Sequence, residues 1–188
     1  MYKLRDLLLR GIGALTVAVV LSCVVSALAA LAPSHASATV GGSRSAAGYW
    51  LVGLDGGIFT YGDAAFYGSP GSLALNKPIV GMAATPDAKG YWLVASDGGI
   101  FTYGDAAFYG SPGSLALNKN LAGMAATPDG KGYWLVASDG GIFAYGDAAF
   151  YGSPGGTNLN KSIVGMAATP DGKGYWLCLL YTSDAADE

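Results

Sequence analysis

Short apolar runs alternate with small, polar turn residues along this chain, and the alternation keeps a fixed period. One cycle begins at Ile79. IVGMAATP (residues 79–86) is the first apolar run, and Asp87-Ala88-Lys89-Gly90 follows as a turn. YWLVAS (residues 91–96) is the second run, rich in aromatic and β-branched residues that favour strands. Asp97-Gly98-Gly99 supplies the positive-φ residues of a tight hairpin. IFTY (residues 100–103) is the third run; after Gly104-Asp105 comes the fourth, AAFYGS (residues 106–111). Pro112 to Asn118 links to the next cycle. Each run has strand length and strand boundaries, so the pattern predicts four strands per cycle. A helical reading fails because no window of twelve residues in these cycles is free of Gly or Pro. Each such residue costs about 1 to 3 kcal/mol inside a helix.

The period is 42 residues. Gly-Tyr-Trp recurs at Gly48, Gly90, Gly132 and Gly174 without insertion, and SDGGIFTYGDAAFYGSPG (residues 96–113) is written nearly verbatim three times. Four short strands per repeat of this length predict β-propeller-like blades. In YWLVAS, Tyr91, Leu93 and Ala95 point to one face and Trp92, Val94 and Ser96 to the other. Both faces are largely apolar, as expected of a sheet sandwiched between neighbours. The predicted fold is all-β: tandem four-stranded antiparallel blades in an open, partial propeller-like array, preceded by an N-terminal signal helix. Complete blades start at Ile79 and Leu121. A last pair of strands starts at Ile163 and breaks off at Leu177, and the unit at Gly48 lacks a convincing first strand. So few blades do not close a ring, which leaves an exposed face at each end and an expectation of self-association through those faces.

At TPDGKGYWLVASDGG (residues 127–141) the chain resembles the first hairpin of bacterial β-propeller repeats. The whole 42-residue unit is similar to a repeat of secreted proteins from high-GC Gram-positive bacteria, where it accompanies cell-wall hydrolase or other extracellular domains. The resemblance covers residues 48–177. It implies an exported, surface-located protein and leaves the ligand open.

The two ends of the chain differ from this middle. Lys3, Arg5 and Arg10 precede an uncharged run from Gly11 to Ala32, then Pro33 and the small-residue site Ala36-Ser37-Ala38. That order reads as a secretory signal peptide over residues 1–38. An uncleaved membrane anchor is the rival reading, disfavoured by Pro33 and the cleavage site. Residues 39–47 read as a linker and residues 48–177 as the repeats. CLLYTSDAADE (residues 178–188) breaks the repeat in mid-unit and resembles a translated sequencing adapter, so a non-native tail and a longer natural chain are expected.

Setting the two ends aside removes both cysteines, the one histidine and the one glutamate of the 188 residues. No disulfide framework is then expected. The remaining charges, seven Lys or Arg against nine Asp, give no basic footprint for nucleic acid.

Candidate chemistry rests on aromatics and aspartates. Rings at fixed spacing can stack on sugar faces, and Trp50, Trp92, Trp134, Tyr61, Tyr103 and Tyr145 are the candidate ligand-binding residues. Phe101, Phe108 and Tyr109 belong to the same aromatic set. The competing role of all these rings is filling the space between blades. Asp97 and Asp105, with their copies Asp55, Asp63, Asp139 and Asp147, lie in Gly-rich turns. Their spacing matches neither an EF-hand loop nor the calcium-binding nonapeptide, and turn chemistry accounts for them. No metal and no cofactor is expected. A catalytic site is not expected either: serine lacks a histidine partner, and each unit carries the same residues where an enzyme differentiates them.

These observations predict a secreted or cell-wall-associated binding or scaffolding module with no catalysis of its own. Its partner would be cell-wall polysaccharide or another surface polymer, with no nucleic acid. The membrane would enter only through the signal segment. The alternatives are a structural spacer without ligand, or the non-catalytic part of a larger cell-wall hydrolase.

Overall fold

The computed structural model describes residues 36–37 and 48–180. The signal helix expected over residues 1–38 and the linker over residues 39–47 lie outside the described residues, save that Ala36–Ser37 forms strand β1. The strands that follow are β2 (Tyr49–Gly53), β3 (Ile58–Tyr61), β4 (Ile79–Ala84), β5 (Gly90–Ala95) and β6 (Ile100–Gly104). They continue with β7 (Leu121–Ala126), β8 (Gly132–Ala137), β9 (Ile142–Gly146), β10 (Ile163–Ala168) and β11 (Tyr175–Leu179). There is no helix among the described residues. Four antiparallel sheets result, in the orders β1-β2-β3, β4-β5-β6, β7-β8-β9 and β10-β11.

Local chemistry explains each hairpin. Between β5 and β6, Ala95 N donates to Gly99 O at 2.8 Å, and the Asp97 carboxylate accepts from Gly99 N at 3.1 Å. Gly98 sits there at φ 93°, in the region an L side chain avoids. Between β4 and β5, Thr85 N donates to Gly90 O at 2.9 Å, and Asp87 accepts from Lys89 N at 3.2 Å. The first strand of each complete sheet carries a register shift, between Ile79 and Gly81 and again between Leu121 and Gly123. The extra residue bends the strand where it enters the sheet.

The predicted four-stranded blade is corrected to a sheet of three. The fourth run, residues 106–111, joins no ladder. Its backbone groups bond to side chains instead. Trp92 Nε1 donates to Ala107 O at 2.7 Å, Tyr109 N donates to Tyr133 Oη at 3.2 Å, and Tyr133 Oη donates to Gly110 O at 2.6 Å. Ser111 Oγ donates to Gly98 O at 2.5 Å. The run thus ties its own sheet to the next one. Side chains satisfy the polar groups a fourth strand would have paired.

The core lies between sheets. Tyr91, Leu93 and Ala95 of β5 pack on Trp50 and Val52 of the first sheet. Trp92 and Val94 of the same strand pack on Leu121, Met124, Tyr133 and Leu135 of the third. Every residue of β5 and of β8 is buried. The alternation read from YWLVAS is therefore the alternation of two interfaces. Successive first strands also approach closely: a methyl added at Gly81 would lie 3.2 Å from Gly123 Cα. Strand β11 continues through Cys178 and Leu179, two residues beyond the point where the repeat sequence breaks, with Cys178 opposite Gly165.

Candidate functional site

Each junction between sheets repeats one arrangement. The indole of one sheet meets the tyrosine of the next: Trp50 with Tyr91 at 5.9 Å, Trp92 with Tyr133 at 5.9 Å, Trp134 with Tyr175 at 5.7 Å. The indole N–H of each tryptophan donates to a carbonyl of the run that follows its own sheet, at Ala65, Ala107 and Ala149. Tyr67, Tyr109 and Tyr151 close the junction edge-on against Tyr91, Tyr133 and Tyr175. Burial pushes the phenols of Tyr91 and Tyr133 above their ordinary value of 10.

The sequence-predicted binding residues divide accordingly. Trp50, Trp92 and Trp134 are 3 %, 0 % and 1 % exposed, so none offers a ring face to solvent. Tyr103 and Tyr145 are half-buried against the tyrosines of their own sheets, and burial raises both phenols. Tyr61 is exposed and stacks on Tyr49 at 4.9 Å.

The aromatic rings that stay exposed from unit to unit lie elsewhere. Phe66, Phe108 and Phe150 are 60 %, 60 % and 61 % exposed, at equivalent positions of three successive units. They sit in the fourth run, which crosses between sheets and turns this side chain outward while its backbone is held by indole and phenol. The sequence listed Phe108 among the aromatics but could not separate it from the buried rings. The available signal was its place in AAFYGS, beside small residues and past the Gly-Asp turn.

Aspartates line the junction edges. Between the third and fourth sheets Pro128, Asp129, Trp134, Asp147, Tyr151 and Asp171 border a groove of about 250 Å³. The Thr127 hydroxyl lies 3.0 Å from Asp129 Oδ1 and 3.1 Å from Asp147 Oδ1. Asp87, accepting from Lys89 N and from the Thr85 hydroxyl, is lowered from 3.8 to about 2. Asp129 and Asp171 shift the same way, chiefly through the Lys131 N–H and the Thr169 hydroxyl respectively. All three are carboxylates at neutral pH. Asp55, Asp97 and Asp139 accept from the backbone N–H two residues on, which is turn chemistry. Among the described residues no group of three or more His, Cys, Asp or Glu is disposed to hold a metal ion.

Fold and site together define an all-β array of small antiparallel sheets joined by repeated aromatic junctions. No protein-family model matches the chain, and no curated protein matches it at a significant level.

Proposed function

We propose that the repeats form a propeller-like, exported, non-catalytic module that binds a surface polymer by repetition, the ligand class being cell-wall glycan or a similar polysaccharide. The observation that carries this reading is the exposed phenylalanine recurring at the same place in three units, Phe66, Phe108 and Phe150. An exposed ring is a stacking surface for a sugar face, and identical weak contacts on one scaffold gain avidity when the ligand also repeats. The uniformity favours binding over catalysis, because a repeated site suits a repeated ligand. The export reading rests on the basic, apolar and small-residue order of residues 1–38.

The test is co-sedimentation of the purified chain with cell-wall sacculi. Binding is expected for the natural sequence, a graded loss as Phe66, Phe108 and Phe150 are changed to Ala one by one, and full loss in the triple variant with its melting temperature unchanged. Binding that survives the triple change overturns the role of these rings. No sedimentation at all favours the spacer reading.

A further inference from the structure

A groove lies inside the array, where the link after one sheet runs into the hairpin of the next. The link of residues 112–120 is held at both ends: Leu115 N donates to Pro112 O at 2.8 Å, and Ser138 N of the next sheet donates to Asn120 O at 3.0 Å. Between this link and the β8–β9 hairpin the groove has a volume of about 210 Å³. Leu115, Leu117 and Phe143 give it an apolar wall, and Asn118, Lys119 and Asp139 give it polar groups. The turn engages one oxygen of Asp139, which accepts from Gly141 N at 3.0 Å, and leaves the other. Among the described residues Lys119 makes no ion pair and the Asn118 side chain makes no hydrogen bond. The same framework recurs one unit earlier. Leu73 N donates to Pro70 O at 2.8 Å, Ser96 N to Pro78 O at 2.9 Å, and Gly99 N to Asp97 Oδ1 at 3.1 Å. Leu73, Leu75, Asn76, Lys77, Asp97 and Phe101 stand there at the equivalent positions. The third link differs, with Thr157 and Asn158 in place of Leu115 and Ala116.

We infer that this groove, with its copy one unit earlier, takes the acetamido group of an N-acetylated amino sugar, an assignment that rests on the glycan reading above. The three parts of that group match three parts of the groove. Its methyl suits the wall of Leu115, Leu117 and Phe143. Its N–H is a donor for the Asp139 carboxylate, and its carbonyl is an acceptor for the Lys119 ammonium or the Asn118 amide. An apolar lining with a few placed polar groups is the usual makeup of a small-molecule site. Sites that enclose a drug-sized ligand run from about 300 to 1,000 Å³, so this smaller groove suits one substituent or one ring. The charges of Lys119 and Asp139 cancel, which favours a neutral group. A sugar bearing only hydroxyls would leave the apolar wall without a partner. The site is separate from the outward phenylalanines, which lie in the fourth run.

Isothermal titration calorimetry of the full chain tests it, with chitotetraose and with cellotetraose, whose rings carry a hydroxyl in place of each acetamido group. Chitotetraose is expected to bind more tightly by at least about tenfold, because polar groups placed for an amide lose their partners on a hydroxyl. Lys77→Met combined with Lys119→Met should remove that preference with the melting temperature unchanged, since both side chains are exposed and neither is ion-paired. Leu73→Thr combined with Leu115→Thr is the second variant. The third link already carries Thr157 at this position, so the fold accepts the residue, and the preference should fall here too. Equal affinity for the two oligosaccharides overturns the inference, as does a preference that survives both double variants. Binding to cell-wall sacculi without binding to chitotetraose overturns it and leaves the glycan reading standing. Binding to neither overturns the two together.

Discussion

The rings of Trp92 and Tyr133 meet 5.9 Å apart at 56°, both fully buried, although they belong to different sheets. Each also holds the run between them, Trp92 through Ala107 O and Tyr133 through Gly110 O and Tyr109 N. Packing and hydrogen bonding at the junction are thus carried by the same two side chains.

Removing the phenol oxygen should separate these two contributions. Tyr133→Phe keeps the ring and leaves the Gly110 carbonyl and the Tyr109 N–H without their partner. The expected loss is about 1 to 3 kcal/mol, from two hydrogen bonds removed at part-buried groups, read by chemical denaturation. Trp92→Ala should cost more, about 3 to 5 kcal/mol, because it also opens a cavity. Equal losses in the two variants would contradict this division.

Ala88 stands at φ 59°, where the later copies place Gly130 at φ 71° and Gly172 at φ 68°. An alanine in this left-handed region costs about 1 to 2 kcal/mol, partly offset by the smaller backbone entropy it loses on folding. Ala88→Gly should therefore raise stability, by roughly 0.5 to 1 kcal/mol. A lower melting temperature for this variant would show that the Ala88 methyl contributes more by packing than it costs in strain.

Close approach between first strands makes a second contrast. At Gly81 a methyl would meet Val94 Cγ1 at 3.0 Å and Met124 N at 3.2 Å, and at Gly165 it would meet nothing. Gly81→Ala should destabilise by about 1 to 3 kcal/mol, the range for overpacking. Gly165→Ala should leave the melting temperature of the monomer unchanged. A similar loss at both sites would mean that backbone freedom, and not the approach of the sheets, sets the cost.

Stability should fall at both pH extremes. Asp87 has a folded value of about 2 against an ordinary 3.8. Its contribution is present above about pH 4 and is lost as the pH falls through 2. Asp129 and Asp171 act in the same direction. Tyr91 and Tyr133 are raised above 10, so their contribution is present below pH 10 and is lost as the pH rises through the folded values. Melting temperatures measured across pH should show Asp87→Asn flattening the acid limb and Tyr133→Phe flattening the alkaline limb. No change in either limb would contradict these assignments.

The all-β class, the 42-residue unit, the two hairpin turns of each complete sheet and the two-faced burial of YWLVAS were all determined by the sequence alone. Those features depend on neighbours along the chain: Gly and Asp at turns, and alternation along a strand. Tertiary structure decided what residues 106–111 become, because AAFYGS is apolar enough for a strand, and it is side chains of two sheets, Trp92 of its own and Tyr133 of the next, that hold it outside the ladder. It also decided which aromatics are reachable. Trp92 and Phe108 are both large apolar side chains in strand-like runs. One is sealed by the neighbouring sheet and the other is turned to solvent, because burial here is a property of the junction and not of either residue.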